Sequence, residues 1–136
     1  MGQQQILLLI LGVCVLGITV SVGVITVQQD ASYENRALLI SELRHLGARA
    51  QEFYRRPIED GGGNQSFLPL TIVPRDISVL SAIPSKVHGD FYIVRSNSCT
   101  SMQIIANGVV PGIYPRFPVR VMLTVYPDSS SISILN

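Results

Sequence analysis

Between Ile6 and Val27 the chain runs for 22 residues, ILLLILGVCVLGITVSVGVITV, without a charged side chain, and the first acidic or basic residue anywhere is Asp30. As an α-helix this run is about 33 Å long, which matches a bilayer hydrocarbon core of about 30 Å. A helix apolar on every face must be surrounded by lipid or by other protein, so the segment constrains the fate of the whole chain. A secretory signal peptide would have a basic n-region, a shorter apolar core and a small-residue cleavage site. Here Gln3, Gln4 and Gln5 lead in, and Val27-Gln28-Gln29-Asp30 follows. Met1-Gly2 resembles a myristoylation start, but Ile6 stands where that motif requires Ser or Thr.

Gly17 with Ser21, and Thr19 with Gly23, place small residues four apart, a spacing that lets helix backbones approach closely in apolar surroundings. Gly12, Gly17 and Gly23 each lower helix propensity by about 1 kcal/mol relative to Ala, so they mark where the helix is expected to pack closely, bend or locally unwind.

Beyond Val27 the pattern becomes amphipathic. Leu39, Leu43, Leu46, Ala50 and Phe53 recur at spacings of three and four, while Glu42, Arg44, Arg49 and Glu52 are expected to face elsewhere. No proline or loop cluster separates the two halves, and Pro57 disfavours helix for the residue before it. A single helix from about Gln4 to Arg56, on the order of 80 Å long, is expected. Glu52 is placed to pair with Arg49 and Arg56 on its exposed side.

Gly61-Gly62-Gly63-Asn64 then reads as a flexible linker. Downstream the apolar period falls to two: Val119, Val121, Leu123 and Val125 alternate with more polar neighbours, Pro127-Asp128-Ser129 makes a turn, and Ile132 and Ile134 lie in a short last strand. Phe91 to Arg95 and Met102 to Ala106 read as two further strands, and Phe67 to Val73 as an edge strand interrupted by Pro69. The stretch from Pro111 to Pro118 reads as a loop. The fold class expected is α+β: a long N-terminal helix packed on a small antiparallel sheet of four to six strands. The domains are a helix over 1–57, with an apolar part over 1–29 and an amphipathic part over 30–57, a Gly-rich linker over 58–66, and a β-rich head over 67–136. The Leu39 to Phe53 stripe is expected to join helix and head, since a sheet of this size needs a covering layer.

The rest of the sequence excludes more than it proposes. A net charge of +1 and one lysine, Lys86, provide no basic field for nucleic acid. Cys14 lies in the apolar run and Cys99 in the head, so both are expected to be free thiols; no metal or other cofactor is expected. His88, near Ser96 and Ser98, has no nucleophile elbow and nothing to fix a base against a nucleophile, and His45 sits on the amphipathic helix, so no catalytic site is expected. Asn64-Gln65-Ser66 fits the glycosylation triplet, and Ser129 to Ser133 offers hydroxyls for O-linked sugar.

The start MGQQQILLLILG, the run from Arg49 to Pro57 and the GGGN-x-SF segment ending at Phe67 together resemble small pilin-like bacterial envelope proteins, and the rod, linker and sheet resemble the type IV pilin superfamily. The resemblance implies peptidase cleavage after Gly2, ahead of Gln3, similar to an archaeal-type Gly-Gln junction. It departs from the family at Leu7, where a Glu usually stands at the fifth mature position. The leader is also not basic, and the nearest arginines, Arg36 and Arg44, lie on the C-terminal side of the apolar run, an asymmetry that by itself would put the head inside.

The resemblance implies a structural subunit held in the inner or cytoplasmic membrane until pilus assembly machinery extracts it. It then becomes part of an extracellular helical homopolymer on the cell surface, with cell adhesion and surface glycans as associated expectations. The filament core is expected to comprise Ile6, Leu7, Leu8, Leu9, Ile10, Leu11, Val13, Val15, Leu16, Ile18, Val20, Val22, Val24, Ile25 and Val27. Exchange between lipid and a filament core swaps one apolar setting for another, so packing must supply the specificity and extraction must be driven. The alternatives are a membrane-anchored extracytoplasmic binding module, in which the helix only tethers the head, and a pseudopilin of a secretion system, which differs in forming short assemblies.

Overall fold

The computed structural model of the chain describes residues 2–72, 77–80, 87–94, 97–112, 114 and 116–136. Its main element is helix α1, Gly2–Arg55, 54 residues long and about 80 Å from end to end. Gly12, Gly17 and Gly23 lie inside it, and the helix is continuous through all three. A second α-helix, α2, is a single turn, Leu68–Thr71. Four strands follow: β1 (Gly89–Ile93), β2 (Met102–Pro111), β3 (Pro118–Val125) and β4 (Ser130–Ile134). They form one antiparallel sheet in the order β1-β2-β3-β4, in which each strand pairs with its neighbour in sequence. The fold is therefore α+β, a long N-terminal helix packed on a four-stranded sheet.

Register decides which side chains meet the helix. Ile104 lies opposite Leu123, Ala106 opposite Val121, and Leu123 also opposite Ile132. Because alternate residues share a face, Met102, Ile104 and Ala106 of β2 and Val119, Val121, Leu123 and Val125 of β3 all point inward, and all are fully buried. The central strands β2 and β3 carry the contact with α1. Leu39, Leu43 and Ala50 are fully buried and Leu46 nearly so, with Phe53 packed at the edge of the same core. The two layers thus cover each other's apolar faces.

Several expectations are corrected. The edge strand expected over Phe67 to Val73 is replaced, in its described part, by a helical turn, Leu68–Thr71, with Pro69 in its first positions, where the missing amide proton costs no helical bond. Phe67 is fully buried, its ring 4.7 Å from that of Tyr54, and its amide donates to the carbonyl of Cys99 at 2.9 Å. Strand β1 begins at Gly89 rather than Phe91, and β2 continues past Ala106 to Pro111. Glu42 does not face away from the head; it is half-buried with its carboxylate 4.0 Å from Nε2 of His88. Arg49 reaches back to donate to the Leu80 carbonyl. Met1, Val73, Lys86, Arg95, Ser96 and residues 113 and 115 of the Pro111 to Pro118 loop lie outside the described residues.

The Gly-rich segment, expected as a flexible linker, is folded onto the end of α1. A helix leaves its last carbonyls without intrahelical donors. Here the returning chain supplies them: Gly63 donates to Phe53, Gln65 to Tyr54 and Asn64 to Arg56, while Gly62 donates to Pro57. Gly62 and Gly63 are both buried, and a Cβ at either would collide, with the Arg56 carbonyl at one and with the Ser66 carbonyl and the Phe53 ring at the other. The glycines are there for close approach, and helix end and head begin as one hydrogen-bonded unit.

Candidate functional site

The sheet covers α1 only along its distal half. The first buried residue on the helix is Asn35 and the last is Ala50. Upstream, all fifteen large aliphatic side chains from Ile6 to Val27 are between 52% and 68% exposed, as much as a lone helix allows. They are the residues expected to form a filament core, and none of the other described residues covers them. Burying the remainder of these surfaces is worth on the order of 20 kcal/mol, at the usual value per apolar side chain. That exceeds the whole stability of an ordinary domain, so leaving these side chains in water is strongly unfavourable. The helix is long and apolar enough to cross a membrane.

Locally the stem is built for such surroundings. Its three hydroxyls are satisfied inside the helix: Thr19 donates to the Val15 carbonyl at 2.8 Å, Ser21 to Gly17 at 2.8 Å and Thr26 to Val22 at 3.0 Å. An unpaired hydroxyl would resist transfer from water, and these three are already paired. At Gly12, Gly17 and Gly23 an added Cβ would meet nothing within 4 Å, so the notches they make in the helix surface are open. Gly17 and Ser21 share one such notch, and Thr19 and Gly23 another. Gly2 opens the helix, with no neighbour within 4 Å of where its Cβ would lie.

The other residues singled out in the sequence lie apart from the stem. Asn64 is exposed in a turn with φ of 49°, followed by Gln65 at 61°, so the glycosylation triplet sits on the surface where the chain doubles back on the helix. Cys14 and Cys99 are both free and exposed. His45 is exposed on the helix; His88 is half-buried beside Glu42, with Ser98 and Ser101 hydrogen-bonded to each other elsewhere. Among the described residues no cluster of three His, Cys, Asp or Glu side chains is placed to hold a metal.

Asn35 escaped the sequence reading. It is polar and lies beside the apolar stripe, yet it is 8% exposed and donates through Nδ2 to the His88 carbonyl at 3.0 Å. It marks the point where the stem ends and the head-covered helix begins. A small-polar residue one turn ahead of Leu39, on the same side, is the signal that would have found it.

Comparisons with protein-family models, with curated proteins and with solved structures return no match to this chain.

Proposed function

We propose that this chain is the structural subunit of an extracellular, type IV pilus-like helical filament, polymerising through the apolar half of α1. The observation that carries the proposal is the contrast along one continuous helix. Leu39, Leu43 and Ala50 are fully buried by the chain's own sheet, whereas every large apolar side chain from Ile6 to Val27 is more than half exposed. A stem of this kind has two apolar refuges, a bilayer before assembly and the stems of other copies after it. Rods packed side by side with an axial shift make a contact that does not close on itself, and such a contact propagates as a helical fibre.

The division of labour follows from the fold. Because the head's core is complete without the stem, the subunit is folded before assembly, and polymerisation requires no rearrangement of the sheet. Moving the stem from lipid into a bundle of stems leaves its hydrophobic burial almost unchanged, so close packing at Gly12, Gly17 and Gly23 provides the preference for other copies, and assembly machinery provides the extraction. The heads form the outer surface, carrying the exposed Asn64 turn and any contact with surfaces or glycans.

The test is the size of the native assembly released from cells by shear and by mild detergent. Long fibres of this chain support the subunit reading; short fibres identify a pseudopilin of a secretion system; single particles with one stem each identify a tethered binding module and overturn the proposal.

A further inference from the structure

The outward side of α1's distal half carries charges that the fold leaves unmatched. Most charged side chains on this half have partners within the chain: Arg55 pairs with Asp128 at 3.2 Å, Arg56 with Glu52, Glu42 lies beside His88, and Arg49 donates to the Leu80 carbonyl. Arg36 lies over the Tyr33 ring. Among the described residues Asp30, Glu34 and Arg44 make no ion pair, and all three are exposed. At 3.6 residues per turn they fall within a sector of about 80°, opposite the stripe of Leu39, Leu43 and Leu46. They are also separated by sign along the axis. Asp30 and Glu34, one turn apart, lie nearest the stem, and Arg44 follows ten residues after Glu34 and fourteen after Asp30, about 15 and 21 Å along the rod. The residues between them on this side, Ala37 and Ser41, are small and exposed.

These positions are too far apart to pair within one helix, and they match when a second, parallel rod is shifted along the first. Resting on the filament reading above, we propose that this face docks a second copy of the chain with an axial stagger of ten to fourteen residues, setting Arg44 of one subunit between Asp30 and Glu34 of the next. Two features favour a second copy over another partner. Both halves of the complementary pair are present on every subunit, so each rod uses its arginine toward one neighbour and its acids toward the other, and the contact repeats without end. The face also continues directly from the apolar stem, so rods in contact along their stems are brought together here in the same orientation. The stems supply the adhesion, and the charges set the register, as charge complementarity does at interfaces generally.

The experiment is a charge exchange in the full-length chain expressed in its native cells, with sheared filaments quantified by sedimentation and electron microscopy. Asp30→Lys with Glu34→Lys, and separately Arg44→Glu, each place like charges in contact and are expected to lower filament yield about tenfold or more. The triple variant restores opposite charges only between subunits and is expected to return the yield to near that of the unmodified chain. Its recovery also assigns the loss to the contact rather than to inverted membrane insertion, because the triple variant, with two lysines gained and Arg44 lost, still carries one more basic residue beside the stem than the unmodified chain. A triple variant as defective as its parents, or parents that assemble normally, overturns the register while leaving the filament reading intact. Absence of filaments from the unmodified chain overturns the filament reading itself, and the register with it.

Discussion

Asn35 of α1 donates through Nδ2 to the main-chain carbonyl of His88 at 3.0 Å, across 53 residues of sequence, and so ties the start of the sheet to the point on the rod where burial begins. The side chain is 8% exposed, and its Oδ1 is buried without a partner on the side facing Gly108. Asn35→Ala leaves the His88 carbonyl without its donor and is expected to cost about 1 to 2 kcal/mol. Asn35→Asp removes the same donor and adds a charge beside that carbonyl, so it is expected to cost more. Denaturant melts of the detergent-solubilised full chain check the order; equal stability of both variants with the parent would contradict it.

Gly108 occupies the other side of this junction. A Cβ there would run into Oδ1 of Asn35 and press on Leu39 and Val119, each 3.2 Å away. Gly108→Ala is therefore expected to destabilise the head by about 1 to 3 kcal/mol, the usual cost of overpacking. The two positions share the clash, so Asn35→Ala should recover part of that loss, giving a coupling of about 0.5 kcal/mol or more in a double-mutant cycle. Strict additivity would place the strain elsewhere.

The stripe that joins rod to sheet is testable by contrast along the same helix. Leu43 is fully buried and Leu38 is 37% exposed. Leu43→Ala is expected to cost about 2 to 5 kcal/mol, while Leu38→Ala should cost under about 1 kcal/mol because little surface is lost from the core. Calorimetry or chemical denaturation of the two variants measures this directly.

Stem and head should respond separately to change. Leu16, in the middle of the stem, is 65% exposed and touches no part of the sheet-covered core. Leu16→Asp is expected to leave the head's melting unchanged within about 0.5 kcal/mol, as for other surface substitutions. At a helix centre in lipid, however, the same change costs about 3 kcal/mol, so the variant should be depleted from membrane and from sheared surface material. Normal recovery in both fractions would mean that the stem is not the element that assembles.

The sequence made the rod, its two halves and most of the sheet legible, because each rests on a sustained period: unbroken apolarity from Ile6 to Val27, spacings of three and four from Leu39 to Phe53, and alternation from Val119 to Val125. What stayed hidden depends on contacts distant in sequence. Phe67 and Leu70 read as strand residues, but Phe67 packs against the Tyr54 ring and Leu70 fills the core as part of a helical turn that only the returning chain defines. Gly62 and Gly63 read as freedom, and instead they allow the backbone to approach Arg56 and Phe53 closely enough to cap the helix. Glu42 fits the polar side of a wheel, and only the position of His88 shows that it borders the interface. Of the candidate site, the stem's composition was plain, and its exposure among the described residues became visible only once burial along α1 was seen to begin at Asn35.

Cryo-electron microscopy of material sheared from cells producing this chain is expected to show fibres whose axis is a bundle of helices carrying Ile6 to Val27, with four-stranded heads outside and neighbouring rods shifted by roughly 15 to 21 Å, the rise of ten to fourteen helical residues. Surface material without fibres, and every copy of the chain found as a single subunit with its stem in lipid, would contradict the filament reading.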